Sequence, residues 1–177
     1  WNYETNELTP LINPGSESAA TIGGIGSQIS GDASVIGGSA SPTDGIKMPY
    51  YWDESGTPHS IPTVGDRIFG SVQAVNYTGT LLGGNIFGAG LDNHAFLYDP
   101  ASGTSWDLNE LFTNVIPDGW ILTSTTHISD DGSRIFATAL APDGSQRAVE
   151  LEGDFVPTPG TLAMLSVGGL AMTRRRR

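Results

Sequence analysis

Cysteine is missing from this chain of 177 residues, which removes any disulfide framework, zinc–thiolate site or thiol nucleophile. Basic residues are scarce: 8 Lys and Arg stand against 19 Asp and Glu, a formal charge of −11. That balance argues against nucleic acid as a partner, because phosphate backbones are bound by Lys and Arg that displace counterions. Charged residues of both signs reach only 15%, against a usual share of about 25%. The chain is therefore too apolar for a disordered acidic tail. What it has in excess is turn formers, with 24 glycines and 11 prolines, a glycine share about twice the usual one. This composition speaks against a helical bundle, and the length suits one domain.

The few basic residues are unevenly placed. Residues 1–154 hold Lys47, Arg67, Arg134 and Arg147 against all 19 acids, a net of −15, whereas the chain ends on Arg174, Arg175, Arg176 and Arg177. Between Asp154 and Arg174 lie 19 residues without a charge. The densest part is Thr161 to Met172, where Leu162, Ala163, Met164, Leu165, Val167, Leu170 and Met172 supply the apolar surface. Such a run is marginal against the roughly 20 residues of a permanent membrane span. Arginines just past it fit the positive-inside bias, with the C-terminus cytoplasmic and the acidic body outside. Pro157 and Pro159, which lack the amide donor, stop any strand and set an extended linker before it. The rival is a core helix with a basic end, but four arginines cannot be buried unpaired. The expectation is a short hydrophobic C-terminal helix that engages a membrane.

The order Val156-Pro157-Thr158-Pro159-Gly160, apolar run, Arg174 to Arg177 resembles the PEP-CTERM sorting signal of Gram-negative bacteria that secrete exopolysaccharide. Thr158 stands where that family usually has Glu. The resemblance implies export, transient retention in the inner membrane, and cleavage near the proline motif by a partner enzyme, an exosortase. The final location would be the cell surface or the extracellular matrix, with exopolysaccharide as a further partner. Such tails are removed, so that the mature protein has no span. An exported protein should begin with a signal peptide, yet the chain starts Trp1-Asn2-Tyr3-Glu4, with no basic or apolar leader. It reads as the C-terminal part of a longer parent.

A pattern recurs three times within the body. The copies are Ser27-Gln28-Ile29-Ser30-Gly31-Asp32 leading to Gly37-Gly38, Gln73-Ala74-Val75-Asn76-Tyr77-Thr78 leading to Gly83-Gly84, and Thr126-His127-Ile128-Ser129-Asp130-Asp131 leading to Phe136-Ala137. Anchored on Ile29, Val75 and Ile128, the steps are 46 and 53 residues. Each copy reads as strand, Asn/Asp/Gly turn, strand. A second hairpin follows, at Pro49 to Ser60 and at Ala95 to Leu108, with a shortened copy at Arg147-Ala148-Val149-Glu150-Leu151. Asp99-Pro100 and Gly103 make the turn of the second copy.

Two hairpins per period match the four-stranded blade of a propeller, whose repeat is about 40–50 residues. The expected fold is thus all-β, with propeller-like antiparallel blades. Three blades fall short of the roughly 4–8 of a closed ring, which leaves an open stack with an unsealed edge at its N-terminal side. A β-sandwich is the alternative. The expected organisation is a remnant of a preceding repeat at 1–19, the repeat body at 20–154 and the sorting tail at 155–177.

His94-Ala95-Phe96, with Asp107-Leu108-Asn109 and Ile128-Ser129-Asp130-Asp131-Gly132, resembles the bacterial extracellular repeat family named for its His-Ala-Phe triplet. The triplet position reads Met48-Pro49-Tyr50 in the first copy and Gln146-Arg147-Ala148 in the third, so His94 is not a repeated element. Its expected role is to bridge a strand start to a backbone carbonyl.

No other pattern singles out catalysis. His59, His94 and His127 are 35 and 33 residues apart, without the paired spacing of metal ligands. Asp53-Glu54, Asp130-Asp131 and Asp143-Gly144 fall in hairpin turns, where Asp accepts backbone amides. Structural calcium is the alternative for them, and no other cofactor is expected. Trp52, Trp106, Trp120, Tyr51 and Tyr98 either stack on sugars or fill blade cores. The reading is a non-enzymatic exported repeat protein. Its rivals are a lectin-like propeller, which predicts Trp52 and Trp106 exposed on one face, and a glycan hydrolase, which predicts converging carboxylates.

Overall fold

The computed structural model describes residue 11 and residues 25–41, 47–90 and 92–153. These fold into three antiparallel sheets stacked face to face. The first comprises β1 (Ile25–Ile29), β2 (Ile36–Ala40), β3 (Met48–Trp52) and β4 (Pro58–Ser60), hydrogen-bonded in chain order. The second repeats that meander with β5 (Phe69–Val75), β6 (Leu82–Phe87), β7 (Asn93–Asp99) and β8 (Thr104–Asp107). A single turn of helix, α1 (Leu108–Leu111), leads to the third sheet, β9 (Ile121–Ile128), β10 (Arg134–Leu140) and β11 (Gln146–Glu152). The sheets are the three expected blades; the third has three strands among the described residues.

Burial follows from this layering. In β10 buried and open residues alternate, the mark of a strand with one covered face. In β7, Ala95 to Asp99 are all buried, because the second sheet is the middle layer. Ala95 and Leu97 face the third sheet and join Leu122, Ile128, Ile135, Ala137 and Leu151 in one core. Phe96 and Tyr98 point the other way, into a core with Val72, Leu82 and Ile86 that Val35 and Tyr51 of the first sheet cover. Each large side chain buried in these seams contributes about 1.5–3 kcal/mol.

One turn closes the first hairpin of every blade. Ser30, Asn76 and Ser129 occupy its first position, at the steps read from the sequence. Their side-chain oxygens accept the amides of Val35 (3.0 Å), Leu81 (2.9 Å) and Arg134 (2.9 Å). Two residues on, Asp32 Oδ1 accepts the Ser30 and Ser34 hydroxyls, both at 2.7 Å, and Asp131 Oδ1 accepts those of Ser129 (2.6 Å) and Ser133 (2.8 Å). The fourth position needs positive φ: Gly79 (68°) and Gly132 (73°) adopt it without cost, and Ala33 adopts it at 60°.

A bulge also recurs in the first strand of each blade, where pairing skips Ser27 and Gln73 and, opposite Phe136/Ala137, Thr126. Among the described residues Ile29 is 58% exposed, whereas its counterpart Ile128 is buried.

Three expectations meet the structure differently. The C-terminal helix, with Leu162 to Met172, the proline motif and the terminal arginines, lies outside the described residues; among the described residues no helix is long and apolar enough to cross a membrane. Of the N-terminal remnant only Leu11 is described, packed on Ala40, Tyr50 and Trp52. Finally, register corrects the third copy of the triplet. Ala139 pairs with Arg147 as Ile86 pairs with His94, so the equivalent is Arg147-Ala148-Val149, one residue later than the sequence alignment.

Candidate functional site

The His-Ala-Phe triplet opens β7, and strand alternation sends its members to opposite faces: Ala95 and Phe96 enter the two seams while His94 stays half-buried. His94 Nδ1 lies 2.6 Å from Asp107 Oδ2, and Nε2 lies 3.1 Å from Arg67 Nη2. A guanidinium only donates. Nε2 is therefore the acceptor, the proton sits on Nδ1, and His94 donates it to Asp107. This corrects the expected bridge to a backbone carbonyl: the partner is a carboxylate supplied by the neighbouring strand.

The Asp107 side chain is wholly buried. Arg67 Nη1 is 3.7 Å from its Oδ2, and its Oδ1 accepts the Asn109 amide at 2.8 Å, capping α1. Asn109 then reaches the third sheet, giving its Nδ2 to the Leu122 carbonyl (2.9 Å) and taking the Leu122 amide (2.7 Å). Arg67 also meets Asp92 at 3.3 Å, and its buried Nε has no partner among the described residues. A buried carboxylate without these donors would be costly; the cluster compensates it and ties the β4–β5 connection, β7, β8, α1 and β9 together. Both imidazole nitrogens of His94 are thus engaged, Nδ1 by Asp107 and Nε2 by Arg67. Chemically the cluster is a brace.

The remaining histidines are apart from it. His59 Nε2 pairs with Asp53 Oδ2 at 2.8 Å while its ring stacks on Tyr51 at 4.7 Å. His127 is exposed and contacts the Phe136 ring at 6.3 Å. The turn acids behave as expected from their sequence position. Asp53 Oδ1 accepts the amides of Ser55 (2.9 Å) and Thr57 (3.0 Å), Asp131 that of Ser133 (3.0 Å) and Asp143 that of Ser145 (2.9 Å). Hydroxyl donation by Ser129, then the Ser133 amide, holds Asp131 down to about 2, and hydroxyl donation by Ser55 followed by His59 holds Asp53 well below the usual carboxylate range. Among the described residues no three His, Asp or Glu side chains gather as a metal site.

Of the aromatic residues that a lectin would present, two lie in the cores and three are half-buried against them. Trp52 is fully buried, and Tyr98 is 5% exposed. Tyr51 covers the core of the first seam, and Trp106 and Trp120 cover that of the second. Burial, then the proximity of Tyr51, pushes the Tyr98 hydroxyl up to about 12.

A polar cleft of about 520 Å³ opens between the second and third sheets, at the end away from the Ser/Asn turns. Gln73, Asn85 and Asn93, on three adjacent strands, form its floor, and Ser124, Ile121 and Leu140 form its far wall. Asp92, the partner of Arg67, stands on its rim. Nothing in the sequence signals this grouping, because its members lie on six strands and the β6–β7 turn.

The described chain is thus an all-β protein of propeller-like blades. No family model and no curated protein matches it. Among solved structures it is similar to a putative TolB from Agrobacterium tumefaciens, at 14% identity and a TM-score of 0.51, covering 70% of this chain and 40% of that one. It is similar also to TolB from Acinetobacter baumannii, at 16% identity and a TM-score of 0.50, covering 76% of this chain and 30% of that one. The likeness is one of fold, and the chain spans less than half the length of either structure.

Proposed function

We propose that the chain is the repeat body and sorting tail of an exported protein of the bacterial cell surface or extracellular matrix, with a structural or binding role and no catalysis of its own. The observation that carries this reading is the separation of charge: a body of net −15, then 19 uncharged residues, then four arginines. An apolar run ending in arginines is retained in a bilayer with its basic end cytoplasmic, which leaves the acidic blades outside. Val156 to Gly160 is the segment an exosortase reads, the inner membrane is a transient partner, and exopolysaccharide is the matrix to which the released body goes. Engagement of both His94 nitrogens in the brace supports a non-catalytic body. Replacing Pro157 and Pro159 with Ala in the exporting host, followed by fractionation, tests the reading. The variant should accumulate in the inner membrane; release equal to the unaltered chain contradicts it.

A further inference from the structure

We propose that the cleft between the second and third blades binds a neutral polyhydroxylated ligand, an oligosaccharide without acidic groups. The inference concerns the isolated body and stands whether or not the sorting reading holds.

Its basis is a place where one blade departs from the rule of the other two. The bulged residue of the first strand is Ser27 in the first blade and Thr126 in the third, both short hydroxyl residues: Ser27 Oγ donates to Val72 O of the second sheet, with Gly37 O 3.4 Å away, and Thr126 Oγ1 donates to Phe136 O (3.1 Å). The fold needs no more than a small hydroxyl there. The second blade has Gln73, which bypasses the equivalent carbonyl of Gly83. It donates instead to Asn85 Oδ1 at 3.0 Å and accepts the Ser124 hydroxyl from the third sheet. Asn85 in turn donates to Asn93 Oδ1 at 3.0 Å. Ser124, Gln73, Asn85 and Asn93 form a row of polar side chains joined by three hydrogen bonds across the two sheets.

The row is far from saturated. A primary amide has two N–H donors and two carbonyl lone pairs. Among the described residues Gln73 and Asn85 each keep one N–H, Asn93 keeps both, and each carbonyl oxygen keeps a lone pair. Exposed donors and acceptors side by side suit a polyhydroxylated ligand, since each hydroxyl both donates and accepts. Ile121, 38% exposed, and Leu140 give the opposite wall an apolar surface for the C–H face of a sugar ring. Among the described lining residues the one charge is Asp92, and it is paired with Arg67, so the cleft offers no free cation to an acidic sugar and favours neutral ones. A volume of about 520 Å³ falls within the range of small-ligand sites.

The test is calorimetric titration of the full chain with maltohexaose, cellohexaose and isomaltohexaose, and with hexagalacturonate as the acidic probe. Gln73→Ser gives the second blade the residue type of the other two, so its urea unfolding should match the unaltered chain. We expect at least one neutral hexasaccharide to bind, Gln73→Ser and Asn85→Ser to weaken it by about tenfold or more, and hexagalacturonate to bind less tightly. Failure of all three neutral probes, full affinity in the Ser variants, or equal or tighter binding of hexagalacturonate would overturn the proposal.

Discussion

Thr125 gives its buried hydroxyl to the Phe96 carbonyl, 2.9 Å away, and sets its methyl where a Cβ on Gly83 would stand. The same close approach joins the first and second sheets, where Val72 occupies the space a Cβ on Gly37 would need. In the third blade the equivalent position is Phe136, 39% exposed. Each of the two seams closes on a glycine of the blade before it, and the outer face of the third blade carries a bulky ring instead.

Gly83→Ala would place its Cβ 2.6 Å from Thr125 Cγ2 and 3.1 Å from the Phe96 carbonyl. We expect a loss of about 1–3 kcal/mol, the usual range for overpacking, seen as a lower urea midpoint with an unchanged slope. Thr125→Ser removes the opposing methyl, so the double variant should lose less than the two single changes combined. Strict additivity would mean that this contact does not set the seam.

Ala33 adopts at φ 60° the turn position that glycine fills in the other two blades. A left-handed conformation costs an L-residue about 1–2 kcal/mol, partly offset by the greater freedom glycine has when unfolded. Ala33→Gly should therefore stabilise the protein by up to about 1 kcal/mol in urea denaturation. Gly132→Ala should destabilise it, because it adds the same strain and overlaps Leu81 Cδ1 at 2.7 Å.

The turn carboxylates predict the acid response. Asp32, Asp53, Asp131 and Asp143 are all held below the ordinary value of 3.8, chiefly by serine hydroxyls. A carboxylate with a depressed folded value contributes stability above its unfolded value, and that contribution disappears as pH falls through the folded one. Urea midpoints should hold steady above about pH 5 and fall toward pH 2, near the Asp131 value of about 2. Asp131→Asn should start lower at neutral pH and fall less steeply; an unchanged slope would assign acid sensitivity to other groups.

The sequence made the hairpins legible because their turns rest on local chemistry. An Asn or Ser followed by Asp or Thr, then Gly or, in the first blade, Ala33, then a hydroxyl residue satisfies the backbone within six positions, and its spacing repeats in all three blades. What failed to show depends on pairing between distant strands. The third triplet was displaced by one residue because Gln146 and Arg147 are both polar, and only pairing with β10 fixes which of them matches His94. Arg67 sits in a connection without periodicity, 27 residues from His94 and 40 from Asp107. Asp107-Leu108-Asn109-Glu110 did carry a local signal for α1, an N-cap Asp with an acid three positions later. The amide row left no trace because its spacing exists only across strands.

The most direct test of the proposed biology is the intact mass of the protein recovered from an exopolysaccharide-secreting host, with and without its exosortase. The account predicts that the exosortase-positive host yields a protein lacking the residues beyond the Val156 to Gly160 region, while the negative host keeps Arg177. The same C-terminal mass from both hosts would contradict it.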